Sequence, residues 1–173
     1  IIDNLLLLAR ADAGQDVIER IPVDLNKLIR ETYDESVIIA SQKHITVTLR
    51  QADEATMLGD EQRLRQMLLN LIDNAVKYNS MNGYIEMSLS RENRVGTIRI
   101  ADTGIGIPTA EIPRIFDRFY RVDKARSRAL GGSGLGLSIV HWIVQAHGGS
   151  IRVESTINQG TEFSVLFPIT ESR

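Results

Sequence analysis

Along 61–78 the apolar residues Leu64, Met67, Leu68, Leu71, Ile72, Ala75 and Val76 recur at helical spacing and predict an amphipathic helix. Leu25, Leu28, Ile29, Tyr33, Val37 and Ala40 predict another over about 25–42, with Asp24 as its N-cap. A third is expected over 134–147, opened by Gly134 and stopped by the glycines after His147. Ile1, Leu5 and Leu8, with Ile2, Leu6 and Ala9, keep the same spacing and end at 10–14, like the tail of a helix whose packing partner lies elsewhere. Period-two alternation marks about five strands, at Ile45/Val47/Leu49, Ile85/Met87/Leu89, Ile98/Ile100, Ile151/Val153 and Phe163/Val165/Phe167. A long irregular region covers 102–134. Helices and strands joined mostly by short polar turns predict an α/β fold, a two-layer α/β sandwich with helices on one face of the sheet.

Composition narrows the picture modestly. The chain has 173 residues, 43% hydrophobic and 24% charged, which suits one globular domain with a short appendage. A formal charge of -2 offers no broad basic surface, so no nucleic-acid partner is expected. Cysteine is absent, which excludes disulfides and thiolate metal sites and fits a reducing cytoplasm. The longest apolar runs are too short to span a bilayer. The chain opens at Ile1 without methionine and reads as a piece of something longer. The expected organisation is a helical remnant over 1–12, a linker over 13–22 and a catalytic domain over 23–173.

Three segments carry candidate chemistry. In Asn70-Leu-Ile-Asp-Asn74-Ala-Val-Lys77-Tyr78 the two asparagines lie roughly 40° apart around the helix, and Lys77 about 20° from Asn70. Amide oxygens suit a hard cation and a lysine suits phosphate, so this polar ridge suggests a metal–phosphate site. Asp102-Thr-Gly104-Ile-Gly106 follows a strand, and Asp102 can accept from an exocyclic amine such as adenine's. Gly132-Ser-Gly134-Leu-Gly136-Leu precedes a helix, whose free amides and dipole favour an anion. Between the glycine segments, 117–128 holds five basic and two acidic residues, a local +3, with Phe116 just before it and Phe119 among the arginines. Neither glycine segment is a dinucleotide fingerprint or a Walker A loop.

Taken in order, Asn70-x-x-x-Asn74-x-x-Lys77-Tyr78, Asp102-x-Gly104-x-Gly106, Phe116-x-x-Phe119-Tyr120-Arg121 and Gly132-x-Gly134-x-Gly136 resemble the N, G1, F and G2 boxes of sensor histidine kinase catalytic domains. The resemblance covers about 23–168 and implies the Bergerat fold, a mixed sheet with helices on one face, together with ATP and Mg²⁺ as cofactors. It implies Asn70, Asn74, Lys77 and Arg121 as catalytic residues, with Asn74 holding the metal. Tyr78 would border the nucleotide and Asp102 would bind the adenine amine, with Thr161 helping through water. Gly104, Ile105, Gly106, Tyr120, Lys124, Gly132, Ser133, Gly134, Leu135, Gly136 and Leu137 complete the implied nucleotide site, and 117–133 would form an ATP lid. Leu5-Leu-Leu-Leu-Ala-Arg10 looks like the end of the family's dimerisation and phosphoacceptor domain.

None of the three histidines stands in the family's phosphoacceptor context: His44 precedes Ile-Thr-Val, His141 precedes Trp142 and His147 precedes Gly-Gly. His44 is expected on the surface, His141 on a helix beside the core, and His147 at a helix end where the dipole favours its cation. The resemblance therefore implies a catalytic domain that phosphorylates a histidine on the dimerisation domain of its parent, for relay to a response regulator. The parent would be a homodimer and this piece a monomer, a cytoplasmic domain compatible with an inner-membrane sensor. The alternatives are a related ATPase clamp, which needs a glutamate base where Asn70 stands, and a nucleotide-sensing module without transferase activity.

Overall fold

The computed structural model describes residues 2–123 and 131–170. Element order is α1 (Ile2–Asp12), β1 (Ile21–Asp24), α2 (Leu25–Ser41), β2 (Thr46–Ala52), β3 (Thr56–Gly59), α3 (Glu61–Lys77), β4 (Tyr84–Glu92), β5 (Val95–Asp102), a 3₁₀ turn (Thr109–Arg114), α4 (Gly136–Ala146), β6 (Ser150–Thr156) and β7 (Gly160–Pro168). Five strands form one sheet in the order β2-β4-β5-β7-β6, with β2–β4 parallel and the other pairs antiparallel. Ile85, Met87, Leu89, Ile98, Ile100, Phe163, Val165 and Phe167 send their side chains to one buried face. Helices α2, α3 and α4 cover it with Leu28, Ile29, Leu64, Leu68, Ile72, Ile139 and Ile143, all buried. The opposite face carries ion pairs such as Arg99–Glu162 at 2.6 Å and Arg50–Glu86 at 3.3 Å. This is the expected two-layer sandwich, with the alternation of each strand setting which face is dry.

The helices begin where capping chemistry permits. Asp24 accepts from the Lys27 amide at 3.0 Å and Asp60 from the Arg63 amide at 3.1 Å. Helix α4 closes on His147, with Gly148 N–H to Gln145 O and Gly149 N–H to Val144 O, both 2.9 Å, the two bonds of a Schellman end. Its start differs from expectation. The helix opens at Gly136, not Gly134, so of the three glycines only Gly136 lies inside it.

Two further elements were not expected. β1 and β3 pair antiparallel as a small separate ribbon, from Ile21 opposite Gly59 to Asp24 opposite Thr56. The stretch read as linker over 13–22 therefore ends inside a strand. α1 is also less orphaned than its sequence suggests. Leu7 and Leu8 are buried and the helix packs on α4, while Ile2, Leu5 and Leu6 stay exposed.

His147 corrects a sequence expectation. It is buried, its Nδ1 lies 2.7 Å from Ile143 O, and its Nε2 accepts the Asp60 amide at 3.0 Å. A ring that donates through Nδ1 and accepts through Nε2 is neutral. Burial pushes its pKa down, so the helix dipole does not hold it as a cation. His44 is exposed as expected, and His141 is exposed with its ring 5.3 Å from that of Phe116.

Gly59 makes room for the buried ring, since a Cβ there would sit 2.8 Å from His147 Cδ2 and 3.3 Å from Leu64 Cδ1. Gly59→Ala is therefore expected to destabilise the fold by about 1–3 kcal/mol, the usual cost of overpacking a core. Urea unfolding of the variant against the parent chain checks this; an unchanged midpoint would mean the ring yields freely.

Candidate nucleotide site

One cavity of about 350 Å³ opens where the C-terminal half of α3, the end of β5 and the start of α4 converge. Most of the sequence-nominated residues line it: Asn70, Asn74, Lys77, Tyr78, Asp102, Ile105, Gly106, Tyr120, Arg121, Gly132, Ser133, Gly134, Gly136, Leu137 and Thr161. Gly104 and Leu135 do not. Lys124 lies outside the described residues, as do the other positions of 124–130 within the expected lid.

On α3 the polar ridge faces the cavity. Asn70 Nδ2 donates to Gly136 O at 3.3 Å, which ties α3 to the start of α4 and leaves the amide oxygen to the cavity. The Asn74 side chain has no hydrogen-bond partner among the described residues. Lys77 Nζ pairs with Asp73 at 2.7 Å, one helical turn back, so its charge is partly spent until a stronger anion competes.

Asp102 ends β5, opposite Ile85 and Thr161 in the ladder. Its Oδ1 accepts the Gly104 amide at 2.7 Å. Burial dominates its titration and pushes the carboxyl pKa up to about 6, against hydrogen bonds from the Gly104 and Thr161 backbones that act the other way. A partly desolvated carboxylate that lines a cavity can accept a further hydrogen bond from a donor there.

The first glycine segment approaches protein more than ligand. A Cβ on Gly104 would lie 2.4 Å from Tyr78 O, because Ile105 N–H donates to that same carbonyl at 3.0 Å. Gly104 thus lets the loop lie against the end of α3. The second segment is tied similarly: Phe119 N–H donates to Gly134 O at 2.8 Å, and Gly134 takes φ +74°, a conformation in which a Cβ would lie 2.9 Å from Phe119 Cα. The amides that open α4 receive no side-chain cap and remain available to an anion.

The expected arginine cluster divides. Arg121 lines the cavity. Arg118 instead forks onto Asp12 of α1, at 2.7 and 2.6 Å, which also holds the Asp12 carboxyl below its ordinary range. Val122, Asp123 and Gly131, within the segment expected as the lid, also line the wall, and Asn4, Asp73, Ile107, Ile115 and Phe163, which the sequence did not assign to the site, complete it. Ser155, also unforeseen, bonds Thr161 Oγ1 at 2.8 Å and receives the Ile107 amide at 2.7 Å, holding strands and loop together below the cavity. Nothing local in the sequence marks it.

Residues 59–171 match the family described as histidine kinase-, DNA gyrase B- and HSP90-like ATPase. The chain belongs to this ATPase family. Among its relatives, the signal transduction histidine-protein kinase ArlS of Staphylococcus epidermidis is 38% identical over 98% of this chain and 37% of its own length. The sensor-like histidine kinase SenX3 of Mycolicibacterium smegmatis is 39% identical over 96% of this chain and 44% of its own. The chain thus spans less than half the length of the curated relatives it matches. The catalytic domain of histidine kinase ThkA superposes with a TM-score of 0.75 at 29% identity, covering 87% of this chain and 95% of that one. Full-length ShkA in complex with AMPPNP gives 0.85 at 32% identity, over 99% of this chain and 35% of that one. The match to an isolated catalytic domain agrees with the two-layer fold seen here.

Proposed function

We propose that this member of the ATPase family is the catalytic domain of a sensor histidine kinase, which binds Mg·ATP and delivers the γ-phosphoryl group to a histidine on a dimerisation domain of its parent. The observation that carries the reading is the meeting of Asn70, Asn74, Lys77, Asp102, Arg121 and the uncapped start of α4 on one cavity. Asp102 accepts from the adenine amine. The amides at the start of α4, with Lys77, Tyr120 and Arg121, bind the phosphates.

The donor set fits a nucleotide-borne cation. Among the described residues there is no group of three or more His, Asp or Glu that could cage a metal alone. Two neutral amide oxygens beside a phosphate site suit Mg²⁺, which keeps several waters and takes the rest of its ligands from phosphate. Asn74 would hold it, with Asn70 beside it. When bound, the ion neutralises charge on the phosphate oxygens.

In the transfer, the bond from the γ-phosphorus to the β–γ bridging oxygen breaks, a phosphorus–nitrogen bond to the imidazole forms, and ADP leaves. Such a step depends chiefly on positioning and charge, so the domain needs no nucleophile of its own. A clamp-type ATPase would need a carboxylate base at position 70, where Asn stands. A response regulator receives the phosphoryl group downstream. Among the described residues no helix is long and apolar enough to cross a membrane.

Incubated alone with Mg·ATP, the chain is expected to bind nucleotide without phosphorylating itself. Addition of the parent's dimerisation domain is expected to yield an acid-labile, base-stable phosphohistidine on that domain. Phosphorylation of His44, His141 or His147 would refute the account, as would absence of transfer despite tight nucleotide binding.

A further inference from the structure

The last turns of α3 are an awkward place to receive a polyanion. The carbonyls left unpaired at a helix C-terminus gather negative potential equivalent to about half an elementary charge. Asn74, Lys77 and Tyr78 line the cavity at this end. Lys77 cannot offset that potential freely, because its ammonium is engaged by Asp73 at 2.7 Å.

Lys43, in the turn between α2 and β2, answers the problem from behind. Its Nζ donates to Lys77 O at 2.8 Å, Val76 O at 2.9 Å and Asn79 O at 3.4 Å. Three carbonyls at the end of α3 thus converge on one ammonium. Its backbone is held on both sides, with Lys43 N–H donating to Ala40 O at 3.2 Å and Lys43 O accepting the Asn82 amide at 3.1 Å. Across the same turn, Tyr78 O receives the Ile105 amide, and buried Asn79 receives the Ser80 amide at 2.9 Å and donates to Tyr84 O at 3.1 Å. The chain leaving α3 is therefore anchored on every side, with Lys43 supplying the positive charge.

We infer that Lys43 is a positioning residue for the phosphate-bearing ligand, offsetting the negative end of α3 and fixing the turn that presents Asn74, Lys77 and Tyr78 to the cavity. It does not line the cavity and acts through the α3 carbonyls. The inference rests on the nucleotide reading proposed above.

Calorimetric titration of the parent chain, Lys43→Met and Lys43→Arg with AMP and ATP separates this role from a merely structural one. An electrostatic role makes the loss grow with phosphate charge, so Lys43→Met is expected to bind ATP roughly three- to tenfold more weakly and AMP less than about twofold more weakly. Lys43→Arg, which keeps charge and donors, is expected to recover ATP binding to within about twofold. Unchanged ATP affinity in Lys43→Met, or an equal loss for AMP and ATP, would overturn the inference while leaving the nucleotide reading intact. Failure of the parent chain itself to bind ATP would overturn both. Should Lys43→Met not fold, Lys43→Gln, neutral but still a donor, takes its place with the same expected outcome.

Discussion

Asp102→Asn is expected to yield a chain that is more stable at neutral pH and nearly blind to adenine. The carboxyl pKa stands near 6 in the folded chain against an ordinary value of 3.8, because burial disfavours the charge. Stability associated with the protonated form is complete below about pH 4 and is lost as pH rises through about 6. Above pH 6 the folded chain carries the full cost, and an amide that never ionises removes it, a gain of about 1–3 kcal/mol in urea unfolding at pH 7. Binding moves the opposite way. The amide can set a donor against the adenine amine, leaving buried polar groups unpaired at about 1–3 kcal/mol, or roughly ten- to a hundredfold in ATP affinity. In the parent chain affinity is expected to fall as pH drops below about 6 while the variant's stays flat, and calorimetry between pH 5 and 8 reads both. A variant that binds ATP as the parent does removes Asp102 from the adenine contact.

Asn74→Ala is expected to lower ATP affinity by about tenfold or more in Mg²⁺ and far less in chelator, because the amide oxygen proposed to hold the ion is lost while the proposed adenine contact at Asp102 is untouched. Its side chain has no bond to surrender among the described residues, so stability is expected to change little. Equal loss with and without metal would mean that Asn74 shapes the cavity and does not touch the ion.

The layered fold was legible because each long element carries its own period. α3 and the strands β4, β5 and β7 bury the alternating or helically spaced residues from which they were read. The β1–β3 ribbon was not legible: each strand has four residues and β1 contains Pro22, which weakens any strand assignment. At the cavity, motif spacing found most of the residues that line the wall. It did not separate Gly104, which makes room for Tyr78 O, from Gly106, which lines the wall. Nor could local pattern assign Arg118 to Asp12, 106 positions away, or His147 to the amide of Asp60, 87 positions away. Lys43 is one basic residue in a turn, and its partners appear only when α2 and α3 are packed side by side.

The His147–Asp60 contact has a consequence for how α3 and α4 accommodate a guest. The two helices run antiparallel and are joined at one end by the 3.0 Å bond from the N-cap amide of α3, that of Asp60, to the imidazole that closes α4. Further along, beside the cavity, the 3.3 Å hydrogen bond from Asn70 to Gly136 O is the side-chain bond that crosses between them among the described residues. The pair is thus hydrogen-bonded once in the core and once beside the cavity. Adjustment to a nucleotide is expected at the cavity end, where asparagine and glycine carry the bond, more than at the buried imidazole.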